Sequence, residues 1–302
     1  MNGILLIDKP PGVTSAEVVR RVKRILPRGA KVGPLGTLDP FATGLLPLCL
    51  GDGTKIAQFL NTADKRYEGV VKLGAATDTG DGTGAIVRQA PVAPLDPESL
   101  ERVRLAFLGE VRQRPPMFSA IKRDGVPLYR LARQGIEVDR VERTVRIDEL
   151  AIGAVSATEL RIVVACSKGT YVRVLAEDIG AALGTVAHLK ELRRTGFGDF
   201  SIDRAVPLVG FDPGRPGGLL SVREALGHLP AVVLPPSGAQ AARQGKLGVL
   251  ARLADLSAPA AALVDVDGDL AAVVVRQGEA WRYGRVFSPA FTSPAARGSK
   301  RG

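Results

Sequence analysis

Asp39 stands in Gly36-Thr-Leu-Asp-Pro-Phe-Ala-Thr-Gly44, an acidic side chain inside a glycine-bounded loop that lets another backbone approach closely. That setting fits a catalytic carboxylate. It equally fits a helix N-cap, because an Asp followed by Pro is a good cap with proline in the first turn. Arg173 follows Cys166-Ser-Lys-Gly-Thr-Tyr171 and falls in the first turn of an expected helix, off its apolar face of Val172, Leu175, Ala176, Ile179 and Leu183. A helix dipole opposes a cation there, so an anion is expected beside it, either a phosphate or a catalytic carboxylate. A solvated surface arginine fits the same pattern. Taken alone, Tyr67 reads as an ordinary strand aromatic and His188 as a structural or surface histidine. Two cysteines and two histidines without close spacing give neither a zinc site nor a disulfide framework, and a reducing cytosol suits them. The chain has no G-x-S-x-G, no Walker loop and no G-x-G-x-x-G. Chemistry therefore falls to carboxylates, tyrosines and arginines, with no metal or organic cofactor expected.

The elements that would hold these groups are legible in outline. The 302 residues, 45% hydrophobic and 24% charged, suffice for a full core in one domain or two. Charge appears too early after Met1 for a signal peptide, and no later run nears the roughly 18 apolar residues of a membrane span. A cytoplasmic location and no membrane partner are expected. Gly3–Ile7 reads as a buried strand. Thr14-Ser-Ala-Glu17 is a capping signal, followed by a helix with Val18, Val19, Val22, Ile25 and Leu26 on one face. Periodicity then vanishes from Pro27 to Pro47, across four glycines and four prolines, and so long a structureless stretch is often functional. A helix near Thr54–Leu60 and a strand near Tyr67–Leu73 come next. The turns at 77–84 lack the ligand spacing of a calcium loop. Asp96-Pro97-Glu98 opens a helix, strands lie near Thr144–Ile152 and Glu159–Ala165, and helices near Tyr171–Leu183 and Val186–Arg194. Residues 211–218 read as a linker, 230–287 as a small β-rich second domain, and 288–302 as a disordered basic tail.

The net charge of +10, from 41 basic and 31 acidic residues, favours a polyanionic partner. Placement says more than the total. Between Val111 and Arg146 nine arginines and lysines, among them Lys122, Arg123, Arg130 and Arg133, are interleaved with Phe118 and Tyr129. Such a stretch suits a surface that tracks an RNA backbone and touches bases.

Together these segments resemble the bacterial tRNA pseudouridine-55 synthases, the TruB family. Leu5-Leu-Ile-Asp-Lys-Pro-Pro-Gly-Val-Thr-Ser15 is similar to the family's opening motif, Gly36 to Gly44 to its catalytic loop, and Asp64-Lys-Arg-Tyr67 to its tyrosine motif. Thr77-Asp-Thr-Gly-Asp81, Arg114-Pro-Pro-Met-Phe-Ser-Ala-Ile-Lys122, Tyr129-Arg-Leu-Ala-Arg-Gln-Gly135, Cys166-Ser-Lys-Gly-Thr-Tyr-Val-Arg173 and Leu192-Arg-Arg-Thr-Gly196 follow in the family's order. The likeness spans about residues 3 to 205. It implies an α+β fold, a mixed and mainly antiparallel sheet flanked by helices, in a catalytic domain over 1–210. It further implies an RNA-gripping thumb at about 116–143 and, less clearly, a PUA-like RNA-binding domain at 230–287. By the resemblance Asp39 matches the essential aspartate, Tyr67 the tyrosine that stacks on the flipped uracil, and Arg173 the arginine paired with the aspartate. Tyr171 and Leu192 match positions that contact the substrate nucleotide. The expected partner is the T-arm of tRNA and the expected state a monomer. One position departs: Pro34 stands where the family usually has a histidine associated with holding the rearranged RNA.

Overall fold

In the computed structural model, which describes residues 1–61, 63–214 and 217–288, one long mixed sheet organises the chain. Its order is Val206–Pro207, Gly3–Lys9, Thr43–Leu50, Ala187–Phe197, Lys65–Leu73, Glu159–Cys166, Arg143–Ser156 and Gly109–Gln113. Two neighbouring pairs along this order run parallel, Gly3–Lys9 with Val206–Pro207 and Thr43–Leu50 with Ala187–Phe197, and the rest are antiparallel. The mixed, mainly antiparallel sheet flanked by helices is therefore as expected.

Alternation along the strands builds two cores from one sheet. Leu5 and Ile7 face one way, into a core closed by Val18 and Val22 of the helix Ser15–Ile25, Leu100 and Val103 of Pro97–Ala106, and Leu175 and Ile179 of Val172–Ala182. Ile4 and Leu6 face the other way. They share a core with Ile56 and Leu60 of the helix Gly53–Leu60 and with Ala262, Val264, Leu270, Val273 and Phe287 of the C-terminal part. That part is a four-stranded sheet, Ala231–Val233, Ala260–Val264, Leu270–Gln277 and Ala280–Val286 in order, with the helix Pro236–Arg243 on its outer face. The caps read from the sequence are made. Thr14 Oγ1 accepts from Glu17 N at 3.0 Å and Asp96 Oδ1 from Ser99 N at 2.8 Å.

Three local readings are corrected. Ile25, assigned to the buried helix face, is exposed at the last turn. Thr43–Leu50, whose residues up to Pro47 were taken as the end of an aperiodic loop, is a buried strand despite Pro47. The Pro47 carbonyl accepts from Leu35 N, so its missing N–H points to the same side, in the gap where pairing passes from Arg193–Arg194 to the short strand Val32–Pro34. No ladder bond is lost there. Val186–Arg194, taken as a helix, falls from its second residue onward in the central strand Ala187–Phe197. Register shifts between Leu189 and Glu191 and between Arg194 and Gly196 break its alternation, which is why a period of two was not visible. Of the expected linker, residues 215 and 216 lie outside the described residues, as does the tail beyond Ser288.

Candidate active site

The loop bearing Asp39 is pinned from both sides. Leu35, Leu38 and Ala42 are buried beneath it. Ser15 Oγ donates to the Leu38 carbonyl and accepts from Leu38 N, at 3.0 and 2.9 Å. Lys9, fully buried at the end of its strand, donates Nζ to the carbonyls of Pro10, Val13 and Pro40 at 3.0, 2.8 and 3.1 Å. Burial pulls the Lys9 ammonium down to a pKa of about 8, only partly opposed by the Asp39 charge. From the opposite side Arg194 donates Nε to Leu45 O at 2.7 Å and Nη1 to Thr37 O at 3.3 Å. Gly44 makes that approach possible: its φ is +96°, and a Cβ there would sit 2.3 Å from the Arg194 carbonyl oxygen. Ala42 N donates to Asp39 O across a turn, and the chain runs straight into the strand Thr43–Leu50. Asp39 therefore caps no helix.

Its partner is Arg173. The guanidinium places Nε 2.9 Å from Asp39 Oδ2 and donates Nη1 to Thr79 O and Nη2 to Phe118 O, each at 2.6 Å. Far from being a solvated residue off the helix face, Arg173 is 3% exposed, because the turns at 77–84 and the excursion at 114–142 cover the helix's first turn. Asp81 Oδ2 lies 3.9 Å from Arg173 Nη1. The other oxygen of Asp81 accepts from Thr79 Oγ1, Thr83 N and Thr83 Oγ1 at 2.9, 3.0 and 2.6 Å, which fixes the second carboxylate and the Thr79 carbonyl together. The Asp39 side chain keeps 40% of its accessible surface. Burial pushes its carboxyl above the ordinary value, the Arg173 charge opposes this, and the like charge of Asp81 adds to the rise. An anion so held is oriented and under-solvated, as a nucleophile should be.

Beside the pair lies a flat floor. In the antiparallel register Arg194 is opposite Tyr67 and Leu192 opposite Gly69, so Tyr67, Leu192 and Arg194 share one sheet face. Tyr67 and Leu192 are buried. Burial raises the Tyr67 phenol, against the nearby Arg194 charge, so it is a neutral hydroxyl at neutral pH. Tyr171 directly precedes the helix Val172–Ala182 and is half-buried. Lys122, Arg123, Arg130 and Arg133 are all exposed on the excursion. Pro34 is exposed at the end of the short strand Val32–Pro34. His188 is structural, with Nδ1 2.8 Å from Ala75 O. Lys9, Ser15, Asp81 and Arg194 were not singled out from the sequence, although each lies within a quoted motif. The available signal was a cation at the end of a buried strand, Lys9 after Gly3–Ile7; Arg194 offered none, because its stretch reads as a helix.

Residues 23–172 match the model of the TruB family pseudouridylate synthase N-terminal domain, and residues 173–211 that of the tRNA pseudouridylate synthase B C-terminal domain. The tRNA pseudouridine synthase B of Aromatoleum aromaticum is 48% identical over 275 residues, 89% of this chain and 86% of that protein. The chain belongs to the TruB family of pseudouridylate synthases. The family's protein from Geobacter sulfurreducens is 46% identical over 250 residues, 81% of this chain and 82% of its own length. Among solved structures, a chain of a Cbf5–Nop10–Gar1 complex superposes with a TM-score of 0.69 at 26% identity, over 95% of this chain and 85% of that one. This TruB enzyme is thus a pseudouridine-forming isomerase, and no helix among its described residues is long and apolar enough to cross a membrane.

Proposed function

We propose that this enzyme isomerises uridine 55 in the T-arm of tRNA to pseudouridine, with Asp39 as its catalytic carboxylate and no metal or organic cofactor. What supports the reading most is one contact, the 2.9 Å pair between Asp39 and a buried Arg173 whose other nitrogens are held by backbone carbonyls. The target base is stacked in a folded arm and must be everted, at a cost of a few kcal/mol. Exposed Lys122, Arg123, Arg130 and Arg133 on the excursion and the four-stranded C-terminal sheet, taken as a PUA-like RNA-binding domain, offset that cost through backbone contacts. Pro34 neither stacks nor donates as a histidine would, so holding the rearranged arm falls to other groups.

Asp39, kept charged by Arg173, attacks the everted nucleoside or triggers cleavage of the bond between the ribose and N1 of uracil. The freed ring turns between Tyr67 and Leu192 with water excluded, the ribose carbon bonds to C5, and the proton leaving C5 is balanced by one gained at N1. Tyr171 contacts the same nucleotide. The test is incubation with unmodified tRNA and chemical mapping of pseudouridine. Product confined to the T-arm uridine, lost in Asp39→Asn with binding retained, is expected. A wild-type protein that binds tRNA and leaves that uridine unchanged would sink the proposal.

A further inference from the structure

The excursion 114–142 leaves the long sheet at Gln113 and returns at Arg143, and these two residues face each other as a cross-strand pair. Their side chains therefore lie on one face at the root of the excursion. Both reach Tyr171. Gln113, 2% exposed, accepts at Oε1 from Tyr171 N at 3.0 Å and donates Nε2 to Tyr171 O at 3.3 Å. The opposite amide orientation would set donor against donor, so the pattern of bonds fixes it. The Tyr171 carbonyl also accepts from Leu175 N at 3.1 Å, the first bond of the helix that carries Arg173. Gln113 thus holds the backbone of the residue at the N-cap position, and this helix start has no side-chain cap.

Arg143 treats the ring of Tyr171. Its guanidinium carbon lies 4.8 Å from the ring centroid, and its buried Nε and Nη2 find no acceptor among the described residues. Leaving two donors unpaired is costly, and the aromatic face is the compensating contact. Five residues beyond Gln113, Phe118 gives its carbonyl to Arg173. The root of the excursion consequently touches both Tyr171 and the arginine that holds Asp39.

We infer that Gln113 and Arg143 are positioning residues that clamp Tyr171, backbone and ring, so that engagement of the 114–142 excursion by RNA sets the geometry of the nucleotide pocket. This rests on the proposed function, in which Tyr171 contacts the substrate nucleotide. The clamp acts through Tyr171 and touches neither the reacting atoms nor the RNA backbone.

The experiment is a double-mutant cycle on single-turnover pseudouridine formation, with tRNA affinity measured alongside. Arg143→Ala should slow conversion about 3- to 30-fold, the range of a cation–π contact, with affinity within about twofold of wild type. On a Tyr171→Leu background the same change should cost nothing further. Gln113→Glu, which keeps the acceptor for Tyr171 N but sets a carboxylate against Tyr171 O, should also slow conversion without weakening binding. Arg143→Lys keeps the charge and loses the planar stack, so it carries the test if the alanine variant does not fold. It should slow conversion relative to wild type on the Tyr171 background and cost nothing further on the Tyr171→Leu background. Additive losses in the cycle, or a fall in affinity with a shallower salt dependence, would make Arg143 an RNA-backbone ligand and overturn the clamp. A wild-type enzyme with no product overturns the proposed function and the clamp together, whereas an active wild type with additive losses overturns the clamp alone.

Discussion

The floor of the site and the excursion above it use the same residue types to opposite ends. On the floor Lys9, Arg173 and Arg194 are buried, and each is tied to backbone carbonyls that belong to other segments. On the excursion Lys122, Arg123, Arg130 and Arg133 are exposed, and the ion pairs at its root, Arg112 and Arg114 with Glu142, are solvent-facing. Buried guanidinium and ammonium groups fix distances, since each lost bond strands a donor. Exposed ones fix little geometry, contribute about 0–1 kcal/mol in such pairs, and remain available to a phosphate. Damage to the floor should therefore appear in the rate of conversion, and damage to the excursion in affinity and its salt dependence.

The contrast is sharpest at Asp39. Asp39→Asn should lower pseudouridine formation by more than about 10³-fold while tRNA binding persists. Because burial already disfavours the charged carboxylate, the same variant should melt at or above the wild-type temperature in thermal unfolding. A clear drop in melting temperature would show that the ion pair stabilises the fold more than burial costs it. Arg173→Gln should lose about 10²-fold in rate and also move the pH profile. The wild-type rate should fall on the acid side at a pH above the ordinary carboxylate value of 3.8, and this limb should move higher once the guanidinium that favours the anion is gone. An unmoved limb would assign it to another group.

Combined replacement of Lys122, Arg123, Arg130 and Arg133 by alanine should flatten the plot of log affinity against log salt by about 3 and leave single-turnover conversion at saturating enzyme nearly unchanged. A large loss of the saturated rate would erase the distinction between the two regions. The smallest effect is on stability. Lys9 loses its proton near pH 8 when folded but near 10.5 when unfolded, so between those values the unfolded chain holds more protons. Wild type should therefore gain stability relative to Lys9→Met as pH rises through that window, measured by denaturant unfolding.

Much of the floor was legible because its motifs are local. The caps at Thr14 and Asp96 and the strands read near 67–73 and 159–165, observed at Lys65–Leu73 and Glu159–Cys166, follow from side-chain spacing alone. Asp39 and Arg173 could be picked out from their local settings, but only the family resemblance joined them, since their contact spans segments that periodicity treats separately. From the residues alone a solvated Arg173 stayed as open as an anion-paired one for the same reason: what buries it comes from residues 79 and 118. The strand Ala187–Phe197 hid because Leu189-Lys-Glu-Leu-Arg-Arg194 is built of good helix formers and bulged twice, and pairing on both edges outweighed local preference. Lys9 and Arg194 hid because a cation inside a sheet runs against the rule that charge faces water.

The second core has a consequence for how the molecule comes apart. Phe287, near the C-terminal end of the described chain, is packed in the same apolar cluster as Ile4 and Leu6 near its beginning, and the four-stranded sheet supplies the surface that keeps those strand residues dry. Clipping the protein after its last catalytic strand would leave a greasy flank of the N-terminal strand open to solvent. The C-terminal unit is thus a lid on the enzyme's own hydrophobic underside, and heat should dissolve both halves in a single calorimetric peak.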